Sequence, residues 1–230
     1  MAAVAAITTS APGSLMLLGE HAVLHGHHAL VCAINRRITV CLLPLDAKTV
    51  RITSGLGCYE SPLNDLMDHA ALRFVIQAIR QHAGQFPAGF DLHIDSEFSA
   101  DIGFGSSAAV TVAVHAALLA SLLGEAPENE LLFNEALQTV HAVQGRGSGA
   151  DLAASVFGGV VGYTQTPTFQ PMAVSLPLTA VYCGYKTPTP EVILKVEKLR
   201  AEHPRKYERI FAQMSGSVEQ EMDCLRNHDL

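Results

Sequence analysis

The sequence predicts an α+β fold, on three observations. Short apolar and β-branched runs fill the first 54 residues, two helical patterns follow one another directly after residue 106, and helical periodicity returns in the last forty residues. Taken in order, "AVAAITT", "SLMLL", "RRITVCLLPL" and "TVRITS" read as strands, broken from one another by Pro, Gly and Asp. "SPLNDLMDHAALRFVIQAIRQHAG" reads as a helix, with Ser61 as N-cap, Pro62 at its first position, an apolar face through Leu66, Ala70, Phe74 and Ile76, and Gly84 as terminator. "GFDLHID" returns to strand period. Helices over 106–123 and 128–143 are joined by the turn "GEAPEN". A short small-residue helix from Asp151 leads to Gly158, and "VVGYTQ" and "LTAVYCGY" read as strands. "TPEVILKVEKLRAEH", with Thr189 as N-cap and Pro190 first, is an amphipathic helix, and "PRKYERIFAQMSGSVEQEMDCLRNHDL" continues helically. Composition changes between Pro167 and Pro177, where a subdomain boundary is expected.

Bulk properties narrow the function. With 230 residues, 49% hydrophobic and 16% charged, the chain can bury a sizeable core. The net charge is −7 and the fifteen Lys and Arg form no basic block, so no nucleic acid and no membrane is expected as partner. Five well-separated cysteines without a CxxC pair read as reduced thiols in a cytoplasmic protein, and neither disulfides nor zinc is expected. The N-terminus lacks the basic opening of a secretory signal. The longest apolar run, Ala108 to Leu123, is short for a membrane span and carries His115 and Ser121.

Chemistry concentrates at "SADIGFGSSAAVTVAV". Two glycines and two serines stand before a helix whose first turn has free N–H groups and the positive end of a dipole, a place that favours a phosphate. A serine-capped core helix accounts for the same residues. No Gly-Lys-Ser/Thr closes the loop, so it is not a Walker A loop. Gly103, Gly105 and Ala108 formally meet the dinucleotide fingerprint, but a second helix follows where a Rossmann unit needs a strand.

Three stretches in order, "APGSLMLLGEHAVLHG" (11–26), "GFGSSAA" (103–109) and "VHAVQGRGSGADLAASVFGG" (140–159), together resemble the GHMP kinases, named for galactose, homoserine, mevalonate and phosphomevalonate kinases. The first stretch, and "KTPTPEVILKV" further on, are most similar to the mevalonate kinase branch; the third resembles the phosphomevalonate kinase version equally well. The resemblance implies a ribosomal protein S5 domain 2-like N-terminal domain over 1–170, then the start, over 171–230, of a C-terminal α/β domain expected to be incomplete because the family's closing Gly-rich motif is absent. It implies ATP and Mg2+ as cofactors and a mevalonate-like small-molecule acid as partner, and it allows a homodimer.

Site residues follow from the same resemblance. Asp151 is the catalytic residue, accepting the acceptor's hydroxyl proton; an N-cap for the helix it opens is the alternative. Gly103, Phe104, Gly105, Ser106, Ser107 and Ala108 bind ATP, with Ser107 also on the metal. Glu20, His21, Ser148 and Gly149 bind substrate. Two positions depart from the pattern. Ser14 stands where the family has a lysine, for which Arg146 or Lys186 would have to compensate, and Val140 stands where it has a metal-binding glutamate, the nearest upstream acid being Glu135. The cluster His21, His25, His27, His28 lacks metal-ligand spacing and is expected as loop or surface histidine, and His115 as a hydrogen-bonded core residue.

Overall fold

The computed structural model describes residues 6–174, 176–185 and 189–227. Its centre is β2 (Ala29–Pro44), longer than its apolar run suggests. One edge of β2 pairs antiparallel with β1 (Ile7–Leu18), from Ile7–Leu42 to Leu18–Leu30, with irregularities after Pro12 and Met16. The two runs read as separate strands on either side of Pro12 and Gly13 are therefore one strand carrying bulges. The other edge of β2 pairs with β5 (Phe90–Ser96) over Ile38–Pro44 and with β6 (Val160–Thr164) over Ala29–Cys32. Beyond β5 lie β3 (Thr49–Ser54), parallel to it, and β4 (Gly57–Pro62), antiparallel to β3; beyond β6 lies β7 (Thr168–Met172).

Four helices cover one face: α1 (Arg73–His82), α2 (Ser106–Leu123), α3 (Asn129–Gln144) and α4 (Ala150–Phe157). They bury Val31, Val40, Leu42, Ile52, Leu92 and Val161 from the sheet against Ile76, Val112, Leu118, Phe133 and Leu152. The intervening strand residues Leu30, Cys32 and Val160 point the other way, as strand alternation demands. There they meet Val218, Met222 and Leu225 of α6 (Pro204–Asn227), which follows α5 (Thr189–Glu202). Among the described residues α2 is the one helix long and apolar enough to cross a membrane, and 56% of that stretch is buried inside the fold.

Two further element readings are corrected. Ser61 and Pro62 end the edge strand β4 rather than start a helix; Tyr59 and Ser61 are buried at strand period, and the Ser61 hydroxyl donates to the Asp65 carbonyl at 2.7 Å. The helix waits until Arg73, beyond the loop this bond closes. Residues 178–185 form no strand: Leu178, Val181, Tyr182 and Tyr185 are exposed and meet no edge, so their β propensity has nothing to pair with. The C-terminal helical stretch is interrupted at His203 and restarts at Pro204, a residue suited to a first helical position. β7, interrupted in sequence by Pro171, is an addition at the sheet edge.

Candidate active site

The glycine loop ends where Gly105, left-handed at φ 62°, becomes the N-cap of α2 with no side chain bonding to the helix. A serine cap is thereby ruled out: Ser106 and Ser107 lie inside the first turn. The first intrahelical bond runs from the Ala109 N–H to the Gly105 carbonyl at 3.0 Å, so the N–H groups of Ser106, Ser107 and Ala108 have no helical partner. A Cβ on Gly105 would lie 2.0 Å from the Ser14 Oγ, so glycine is required both by backbone conformation and by the approach of β1. Gly103 borders open space. Phe104 stands apart from the cavity wall: its ring packs near Phe98, and its carbonyl accepts the Ser14 N–H at 3.0 Å, fastening the loop to β1.

Opposite this loop, Gly149 (φ 86°) is the N-cap of α4, and Asp151 sits in the first turn rather than at the cap. The fully buried Ser14 hydroxyl donates to Asp151 Oδ1 at 2.7 Å, so Ser14 supports the carboxylate from behind. Asp151 is open to the cavity yet closely walled by protein. That crowding pushes its carboxyl above the usual carboxylate range, and the Ser14 hydrogen bond pulls it partly back. The loop before it is held from the core: Tyr163 donates its hydroxyl to the Ser148 carbonyl at 2.6 Å, burial raises that phenol, and Gly149 packs where any Cβ would strike Tyr163 and Phe133.

Between the two loops is a cavity of about 430 Å³. Gly103, Gly105, Ser106, Ser107, Ala108, Glu20, His21, Ser148, Gly149 and Asp151 all line it, so the three sequence stretches converge. His21 is, among the described residues, the one non-glycine with positive φ (64°), a conformation that turns the chain sharply at Glu20-His21. Arg146 is exposed and is the one Lys or Arg on the wall among the described residues; Lys186 lies outside the described residues. Val140 is on the wall but offers no ligand, and Glu135 faces away, 3.6 Å from His82.

Ile193 of α5 also reaches the cavity. The sequence marked it only as part of an amphipathic helix and gave no hint of the face it turns to the site. The other histidines bind the same helices: His25 pairs with Glu197 at 2.9 Å and stacks on Phe211 at 4.8 Å, and His28 pairs with Glu219 at 2.9 Å. Both are half-buried packing contacts.

The donor set fits an anion at the α2 terminus, with three N–H groups and the hydroxyls of Ser106 and Ser107 that find no partner among the described residues, and an open approach over Gly103. For a hard cation the same wall offers oxygen from Ser107, Glu20 and Asp151.

The profile for the GHMP kinases N terminal domain matches residues 70–159, and the galactokinase galactose-binding signature matches residues 2–44. A mevalonate kinase of Archaeoglobus fulgidus is 38% identical over 204 residues, covering 88% of this chain and 67% of that protein. A phosphomevalonate kinase of Saccharolobus solfataricus is 31% identical over 161 residues, 67% of this chain and 48% of the relative. Among solved structures, the Methanococcus jannaschii mevalonate kinase superposes with a TM-score of 0.75 at 16% identity, over 95% of this chain and 73% of that one, which extends the likeness to the fold.

Proposed function

The chain belongs to the GHMP kinases, and we propose that this ATP-dependent kinase phosphorylates the hydroxyl of mevalonate, with Asp151 as the catalytic base. The observation that carries the reading is the placement of Asp151, backed by Ser14 at 2.7 Å, across one cavity from the uncapped start of α2. The relative at 38% identity, a mevalonate kinase, supports the acceptor.

In this reading the ATP phosphates lie over the N–H groups of Gly105 to Ala108, whose fixed dipoles meet the charge spread over the transferring group. The acceptor hydroxyl lies between Asp151 and the γ-phosphorus, oriented by Glu20, His21, Ser148 and Gly149. As its oxygen bonds to phosphorus and the bond to ADP breaks, its proton passes to the free oxygen of Asp151. Ser14 keeps the other oxygen occupied and so fixes the carboxylate plane. Arg146 supplies the positive charge that the family places at position 14. Ser107, with carboxylate oxygen from the same wall, would hold magnesium, which would supply charge neutralisation for the phosphates.

The test is ADP release from Mg-ATP with mevalonate, phosphomevalonate, galactose or no acceptor, with Asp151→Asn as control. Mevalonate-dependent release that the substitution abolishes supports the reading. Release with galactose alone would instead follow the signature over residues 2–44 and overturn the acceptor. Turnover surviving Arg146→Ala together with Lys186→Ala would remove Arg146 from the mechanism.

A further inference from the structure

Away from the cavity, on the outer helical layer, α1, α2 and α3 bring together His82, His115 and Glu135. His82 and His115 are buried, at 4% and 0% exposure, whereas Glu135 is partly open to solvent. His82 Nε2 lies 3.2 Å from His115 Nδ1 and 3.6 Å from Glu135 Oε2, and the three donor atoms fall within 4.8 Å of one another. A tetrahedral ion with nitrogen and oxygen ligands at about 2.0–2.2 Å sets its donors roughly 3.3–3.6 Å apart, close to two of these separations.

The hydrogen bonds around the cluster prepare the rings for this. Thr139 donates its hydroxyl to Gln81 Oε1 and therefore accepts from His115 Nε2–H at 2.8 Å. That leaves the His115 Nδ1 lone pair facing His82. The second ring nitrogen of His82, Nδ1, meets the Gln85 side-chain amide at 3.4 Å, and that amide serves as donor or, after a half-turn, as acceptor. Each ring thus has a polar partner on the nitrogen turned away from the cluster, the arrangement that orients histidine ligands in metal sites.

We propose that His82 Nε2, His115 Nδ1 and Glu135 Oε2 form a site for a divalent transition-metal ion of the zinc type that ties α1, α2 and α3 together, with water in the fourth position. On binding, the His82 proton moves from Nε2 to Nδ1 and is accepted by the turned Gln85 carbonyl, so no net proton leaves the pair. The carboxylate lies at the solvent end and gives the ion its way in. The cysteines gave no reason to expect zinc, and this site uses none of them. It is also independent of the kinase reading, since none of its ligands lines the catalytic cavity.

The experiment titrates the chelator-treated 230-residue chain with Co(II) and records visible absorption, with Zn(II)-dependent melting as a second readout. One equivalent of cobalt giving the intense d–d bands of a four-coordinate nitrogen–oxygen site, and a melting temperature raised by zinc, are expected. Glu135→Gln, at a partly exposed position, should weaken binding by more than the 10–100-fold typical of losing a group behind a ligand, and Thr139→Val by about that 10–100-fold. Thiolate-to-cobalt charge-transfer bands, a pale six-coordinate spectrum, no binding, or affinity unchanged in folded Glu135→Gln would each overturn the site. A chain whose melting temperature zinc leaves unmoved would overturn it as well.

Discussion

Crowding lifts the Asp151 carboxyl and the Ser14 hydroxyl lowers it, so burial and one hydrogen bond together set where this carboxyl titrates. Ser14→Ala removes only the lowering influence, and the acid limb of the kcat/KM profile should move to higher pH. An unmoved limb would mean that Asp151 is not the titrating base. Asp151→Asn should cut turnover about 10²–10⁴-fold, the usual worth of a positioned base. Its effect on stability has the opposite sense. A carboxyl raised in the fold adds stability that is present below its unfolded value and lost as pH rises through its folded one, so that contribution is diminished at pH 7. The Asn variant should melt no lower than the parent at that pH. Gly105→Ala meets both a left-handed backbone and the Ser14 Oγ, and should cost more than about 1 kcal/mol in denaturant melts while weakening ATP binding. The sequence made Gly105 and Asp151 legible because they sit within motifs. It did not show that Ser14 would bond to Asp151, since the two lie 137 positions apart.

Helices α1, α2 and α3 meet at a neutral histidine pair whose titration sets a pH dependence for the whole layer. Burial, with His82 adding to it, pushes His115 down to about 3 from 6.5, and burial also lowers His82 against the raising influence of Glu135. Bases depressed in the fold leave stability intact above their unfolded value. Below about pH 6.5 the unfolded chain gains protons that the fold refuses, so His115 should remove up to about 1.4 kcal/mol per pH unit, and the lowered His82 adds to the loss in the same sense. Urea midpoints measured from pH 7 to pH 4.5 with chelator present should fall on this slope, and the slope should flatten in His115→Gln. The same elements show what pattern alone can reveal. α2 and α3 end at Gly124 and Gly145, both left-handed, so their bounds were visible to within a residue or so. β4 was hidden because Ser61-Pro62 satisfies a helix-start pattern equally well, and only its partner β3 decides the matter. "LTAVYCGY" erred the other way, carrying strand composition without a free edge beside it.

At the scale of the molecule, the sheet separates the helical layer that carries the candidate site from α6, yet α5 reaches the cavity and α6 packs on the turn beside it. Phe211, stacked on His25, holds the turn that follows Glu20-His21, while Ile193 touches the cavity directly. Phe211→Ala should cost about 3–5 kcal/mol of stability at most and raise KM for the acceptor more than it lowers kcat, because it loosens a wall and leaves Asp151 in place. Steady-state kinetics on the folded variant would check the split. The bond between Ser14 and Asp151 has a consequence in time as well. It joins the first strand to a helix formed 137 residues later, with the whole of β2 to α3 threaded between them. Such a closure comes late in a chain whose other contacts include many local hairpins and helix turns. During refolding, phosphotransfer should reappear with the slowest phase, after helical ellipticity has recovered, so that activity reports completion of the fold rather than its onset.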